Sequence, residues 1–410
     1  MPHLRTRHIA PSIKKALAFS PIVGVVGHRQ VGKTTLLEHF SKTYITLDRG
    51  AMNEQATMDP ERFIGAFNAF PVGLDECQLS PPLFPALKER VRQNKKPGQF
   101  ILSGSVRFGS RKAIRESLTG RILLFELMPM TVSELCQHSM AHFLTKVFLA
   151  KTHKAVESFL DSLSPVARQN ASLERCFEAS MKYGGLPGVC FIRDASLRRL
   201  KWESQLETIL TRDLELISET NLSLHTKKSV LAELARAQGL PLSYAELSRR
   251  SRVSIPALKK LIMTYEALFL IRLVPCKGDE KRPVVFLEDQ GEAQHLTESR
   301  MDDLSLFTNA LYMNIRVPFQ MPLGALESPA GIFQFRTRGG AFVPFAFESG
   351  KRVLGILSSL EEKPSKSVLG SAHSFLKAFP DGKAIIIHPY KKCEILGKNL
   401  YLVPRNTALL

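Results

Sequence analysis

Ile22-Val23-Gly24-Val25-Val26-Gly27-His28-Arg29-Gln30-Val31-Gly32-Lys33-Thr34-Thr35 is the stretch from which the rest of the chain can be read. Its first five residues are apolar, rich in β-branched types and bounded by Pro21 and Gly27, the pattern of a buried parallel strand. Leu36-Leu37-Glu38-His39-Phe40, which follows, has helical character. Between them lies G-x-x-x-x-G-K-T in the strand–loop–helix setting that this motif requires. Gly27 and Gly32 let the backbone wrap a phosphate, with His28, Arg29, Gln30 and Val31 completing the cradle. Lys33 reaches the β/γ-phosphates of a nucleotide such as ATP, and Thr34, followed by Thr35, is placed to hold Mg²⁺. Nucleotide binding is the expectation.

A second element has to supply acids to the metal and to the attacking water. Phe70-Pro71-Val72-Gly73-Leu74-Asp75-Glu76 is a short apolar approach ending in two carboxylates. Asp75 is expected to orient Mg²⁺, and Glu76 to polarise the water. Phe100 to Ser105 is the next apolar run with a polar end, so Ser105 or Ser103 is placed to sense the γ-phosphate from a neighbouring strand. Arg111, Lys112, Arg115 and Gly120-Arg121 precede the strand-like Ile122 to Phe125. Arg121 is expected as an arginine finger, with a solvated basic helix as the competing reading.

Asp75-Glu76-Cys77-Gln78, Leu83-Phe84-Pro85-Ala86-Leu87-Lys88, Pro97-Gly98-Gln99-Phe100, Ser103-Gly104-Ser105 and Leu118-Thr119-Gly120-Arg121 follow one another in a familiar order. The chain resembles the prokaryotic AAA-superfamily ATPases that carry a C-terminal domain of unknown function with a restriction-endonuclease-like core. The resemblance implies an α/β protein whose first domain is a RecA-like parallel sheet between helices. It also implies that the acidic pair is Walker B, that Ser105 is a sensor, and that Arg121 lies near a neighbour's phosphate.

At roughly 150 residues per domain, 410 residues suggest two to four domains. A hydrophobic fraction of 44% excludes a disordered chain. No apolar run approaches the roughly 20 residues of a membrane span. Arg5, Arg7, Lys14 and Lys15 precede Ala16 to Val26 without an acidic residue, which imitates a signal peptide. No small-residue cleavage site follows, and cleavage there would damage the glycine-rich loop; an organelle transit peptide remains an alternative. Six scattered cysteines without a C-x-x-C pair read as reduced thiols, so a cytoplasmic location is expected. A net charge of +18 attracts polyanions, nucleic acid or anionic lipid. Residues 88–121 hold ten Lys/Arg against two Glu, but only Phe100 and Phe108 interleave, so base stacking is not indicated.

The expected organisation is a basic N-terminal extension (1–20), a P-loop ATPase core (21–132), a helical lid (133–225), a winged-helix region (226–276) and a degenerate endonuclease-like domain (277–410). Within the lid, Met181 to Pro187 is a turn by composition and looks like the Gly-Gly-x-Pro element of these ATPases. Arg212-Asp213 is either a helix-surface pair or linked to the nucleotide. In the winged-helix region Ser243 with Glu246, and Ser254 with Pro256, mark two helix starts, and Lys259 and Lys260 would meet DNA phosphates. In the last region relatives often carry a metal-nuclease Asp, Glu-x-Lys and an earlier Glu. Pro344, Leu357, Ser359 and Thr308 stand there instead, and none is a carboxylate. The expected protein hydrolyses ATP with Mg²⁺ and acts near DNA, with homo-oligomer formation and a protein partner at the C-terminal domain as further expectations. The alternative is a nucleotide-switched scaffold with negligible turnover.

Overall fold

In the computed structural model, which describes residues 4–108, 120–162, 170–298 and 301–410, strand β1 (Ile22–Val26) lies inside a five-stranded sheet. Its companions are β2 (Thr43–Thr46), β3 (Val72–Asp75), β4 (Phe100–Gly104) and β5 (Ile122–Glu126), in the order β2-β3-β4-β1-β5. All pairings are parallel, with Ile22 level with Phe100 on one side and Ile122 on the other. Strand alternation divides β1 between two cores. Ile22 and Val26 pack with Leu74, Phe84 and Phe100, whereas Val23 and Val25 pack with Ile13, Leu37 and Trp202.

The second core corrects the expected N-terminal extension. Ile9, Ile13 and Ala16 are buried, and the helix Ala10–Leu17 covers one face of the sheet. Arg7 is buried too, its guanidinium donating to the Val31 carbonyl at 2.7 Å and to the Met128 carbonyl, and pairing with Glu134 at 3.2 Å.

A second, seven-stranded sheet is built from β7 (Cys276–Gly278), β9 (Gly331–Arg336), β10 (Phe342–Ser349), β11 (Arg352–Ser358), β12 (Lys383–His388), β13 (Glu394–Gly397) and β14 (Leu400–Pro404). Its order is β13-β14-β12-β11-β10-β9-β7, with β10 antiparallel to both neighbours and β11-β12-β14 parallel. Pro344 lies where the β10–β9 register shifts between Val343 and Ala346, since proline has no N–H for the ladder. Helices Phe143–Leu149 and His153–Asp161, expected in the lid, pack instead on this sheet. Phe148 meets Phe319 edge-on at 5.3 Å, and His153 bonds the Tyr401 hydroxyl at 2.6 Å.

Three helices, Leu224–Arg236, Tyr244–Ser251 and Ile255–Ala267, pack around Leu231, Leu258, Ile262 and Tyr265. Ser243 caps its helix by accepting from Glu246 N, but Ser254 makes no side-chain cap. Strand β6 (Ile271–Val274) pairs antiparallel with β8 (Val284–Leu287), so residues expected in the last domain join this region. No helix among the described residues is long and apolar enough to cross a membrane.

Candidate nucleotide site

The glycine-rich loop leaves the C-terminal end of β1 and closes on the helix Lys33–Phe40. Gly32, at the helix start, has φ 101°, a conformation that favours glycine. A side chain on Gly27 would come within 2.3 Å of the Leu127 carbonyl, so the loop is pressed against the chain after β5. The Lys33 ammonium is folded into the loop, donating to the carbonyls of Gly27 at 3.1 Å and His28 at 3.0 Å. Burial lowers its pKa, opposed by Glu76 and Asp75.

Asp75 ends β3 and is nearly fully buried. Its carboxylate accepts from the Thr34 hydroxyl at 2.7 Å, from the Tyr44 hydroxyl at 2.9 Å, and from Ser103. Tyr44, from β2, is a participant that the sequence did not mark; burial and the nearby Asp75 push its pKa up. Glu76 follows with a left-handed backbone, φ 57°. Its carboxylate accepts from Ser105 at 3.0 Å and from the Gln78 amide. Burial works to raise the Glu76 pKa, but Lys33, the bonds from Gln78 and Ser105, and Arg29 outweigh it and hold the carboxyl low. Glu76 is therefore ionised and able to accept a proton. Both serines at the end of β4 have work: Ser103 fixes Asp75 and accepts from Glu76 N at 3.1 Å, while Ser105 holds Glu76.

Arg121 is not brought to this cluster. It precedes β5, whose first residue is level with Ile22, whereas the loop follows Val26, level with Glu126. Four strand residues, about 13 Å at 3.3 Å each, separate the two edges. Arg111, Lys112 and Arg115 lie outside the described residues. The arginines at the loop are others. Arg29 pairs with Asp213 at 2.8 Å, and Arg212 pairs with Asp213 at 3.3 Å and Asp48 at 3.2 Å. Asp213 is 1% exposed and closes a π-helical turn, Ile209–Asp213, at the end of the helix Ala195–Thr208. Such turns recur at functional sites because they re-aim side chains out of helical register. Here the turn sets Arg212-Asp213 against the loop, and Gln30 lies so near Gly188 that a side chain there would meet its amide oxygen at 2.4 Å.

The elements that carry Lys33, Thr34, Asp75, Glu76 and Ser105 fall in one segment with a counterpart among known proteins. Residues 19–136 match the family model of an AAA domain. That match and the converging side chains support a P-loop, AAA-like, ATP-binding ATPase. The segments expected as winged helix and endonuclease-like domain lie outside the match. Two uncharacterised proteins, from Mycobacterium bovis and Mycobacterium tuberculosis, are each 24% identical over 417 residues, covering 99% of this chain and 85% of their own length. Among solved structures, the Walker-type ATPase of Pyrococcus abyssi aligns at 15% identity over 71% of this chain and 95% of its own, with a TM-score of 0.39. A DNA polymerase III gamma subunit-related protein from Thermotoga maritima aligns at 11% identity over 63% and 99%, with a TM-score of 0.27.

Proposed function

We propose that this chain hydrolyses ATP with Mg²⁺ and uses the reaction to change the relation between its nucleotide domain and the helices above it, on or near duplex DNA. The observation that carries the reading is Thr34 on Asp75 at 2.7 Å, beside Glu76 held by Ser105 and the loop lysine. A hydroxyl and a carboxylate are hard oxygen donors, the set that suits Mg²⁺. Thr34 and Asp75 would hold the metal, which when bound neutralises charge on the β- and γ-phosphate oxygens. Lys33 would exchange two carbonyls for phosphate oxygens, Glu76 would take the proton from water, and Arg29 and Arg212 would offset charge at the phosphates. A role for Arg121 requires a second copy of the chain presenting it in trans.

The DNA part of the reading rests on exposed Arg249, Lys259 and Lys260 on the helices Tyr244–Ser251 and Ile255–Ala267, and on exposed Arg252 in the turn between them. The seven-stranded sheet is read as a docking domain without nuclease activity. Pro344, Leu357 and Thr308 line a common cavity of about 290 Å³ without a carboxylate, to which Ser358 contributes in place of the expected Ser359, and Glu348, the nearest acid on β10, pairs with Lys277 at 2.6 Å. A location in the cytoplasm belongs to the same reading.

The scaffold alternative draws on one observation. Glu76 is held by both Ser105 and Gln78, so without nucleotide the base is restrained. Steady-state phosphate release separates the two. Glu76→Gln should keep ATP binding and lower turnover by roughly 10²- to 10⁴-fold, the usual share of general base catalysis. Wild-type protein that binds ATP without releasing phosphate supports the scaffold instead.

A further inference from the structure

Glu288-Asp289-Gln290-Gly291-Glu292 leads from β8 into the helix Gln290–Leu296, and its carboxylates are 2%, 1% and 0% exposed. A buried carboxylate is costly unless partnered. Each of these three is partnered in a different part of the chain. Glu288 pairs with Arg316 of the helix Asp303–Gln320, with Arg272 of β6 at 2.9 Å and with Arg107 beyond β4 at 3.8 Å. Asp289 accepts from the backbone N–H of Gly185 at 2.7 Å and of Leu186 at 3.1 Å. Glu292 faces the ring of His28, within the glycine-rich loop, at 3.2 Å.

The fit leaves little room. A side chain on Gly184 would come within 2.0 Å of the Asp289 carboxylate, and one on Gly291 within 2.2 Å of the Tyr183 carbonyl. His28 is 1% exposed, its Nδ1 lies 2.7 Å from the Arg29 carbonyl, and its own carbonyl receives Lys33. Neither oxygen of Glu292 makes a hydrogen bond among the described residues, and the His28 ring is the group that faces its carboxyl at 3.2 Å. Burial disfavours an imidazolium there, but Glu292 outweighs it and raises the His28 pKa above 6.5.

We propose that Glu292 and Asp289 are positioning residues of the nucleotide site. Glu292 fixes the glycine-rich loop through His28, and Asp289 fixes the Gly184–Leu186 turn of the lid. Because Glu288 leaves the same short segment toward Arg316, movement of the loop on nucleotide exchange is carried to the helix Asp303–Gln320 and thus to the seven-stranded sheet. The inference rests on the reading that the loop holds nucleotide phosphates, and it adds a mechanical route out of that site.

A double-mutant cycle tests it. The full-length protein and its His28→Gln, Glu292→Gln and doubly substituted forms are titrated with ADP and Mg²⁺. Each single substitution should weaken binding about 10-fold, and the double should be no weaker than the worse single, a coupling of about 1.4 kcal/mol. Losses that multiply would overturn the proposal, and so would unchanged affinity accompanied by a lower melting temperature, the mark of a purely structural pair. Amide exchange over residues 27–34 without nucleotide supplies a readout independent of binding. It should quicken in Glu292→Gln, and less in Glu292→Asp, which keeps the charge if the amide variant folds poorly. Unchanged exchange in both refutes the positioning role even if the wild type fails to bind ADP, a failure that would count against the nucleotide reading alone.

Discussion

Replacing Arg7 by Met tests whether the N-terminal segment is part of the nucleotide domain. The guanidinium is 8% exposed and serves three partners: the Val31 carbonyl at 2.7 Å, the Met128 carbonyl, and Glu134 at 3.2 Å. Breaking a buried ion pair by removing one member typically costs about 3–5 kcal/mol, because the other charge is left behind. Glu134 keeps two backbone donors, His8 N at 2.7 Å and Thr131 N at 3.0 Å, so the lower end applies, about 3 kcal/mol. Trp202 is the only tryptophan, 2% exposed, and packs in the same core as Ile9 and Ile13, so its fluorescence reports on this region. With a urea slope of about 2 kcal/mol per molar, the midpoint should fall by about 1.5 M. Lys14→Met, on the exposed side of the helix Ala10–Leu17, should stay within about 0.5 kcal/mol of wild type. Equal midpoints for Arg7→Met and wild type would refute the assignment of residue 7 to the domain core.

Lys33→Ala should weaken ATP binding about 10- to 150-fold, since a charge-assisted contact contributes about 1.5–3 kcal/mol; titration with a fluorescent ATP analogue decides it. Asp289 titrates at about 6, raised from 3.8 by burial despite its backbone donors. A folded pKa above the unfolded one gives a contribution that is full below about pH 3.8 and lost as pH rises through 6. Wild type should therefore lose stability relative to Asp289→Asn as pH rises from about 3.8 to about 6, and a constant difference over that range would show that Asp289 does not titrate there. Reversing Lys259 and Lys260 to Glu should reduce the slope of log K against log salt for duplex DNA by about 1.8, two released counterions. That DNA should be recovered uncut after incubation in Mg²⁺ or Mn²⁺.

What is legible in the sequence is what local chemistry dictates. The order glycine-rich loop, lysine, threonine requires a strand before and a helix after, and the short apolar runs ending at Asp75 and Ser105 mark the two strands that flank its chemistry. Pro344 announces a break in its strand for the same local reason, the missing N–H. Arg121 shows what adjacency in sequence leaves undecided: whether a basic residue faces its own chain's phosphate loop or a neighbour's. A residue preceding a parallel strand lies on the edge away from the phosphate loop, so its nearness in sequence to β5 says nothing about nearness to the site.

Only the tertiary structure decides the partners that come from far along the chain. Arg7 reaches the loop from a stretch expected as a basic extension, because a single buried arginine has no periodic signature. The helices Phe143–Leu149 and His153–Asp161 are amphipathic in either assignment, and periodicity does not say against which sheet the apolar face packs. Asp213 and Glu292 lie 184 and 264 residues from the loop positions they meet, Arg29 and His28. Their roles depend on burial, which removes the water that would otherwise solvate them and makes each require a counter-charge. A sequence displays charges; only the folded chain determines which of them are deprived of water.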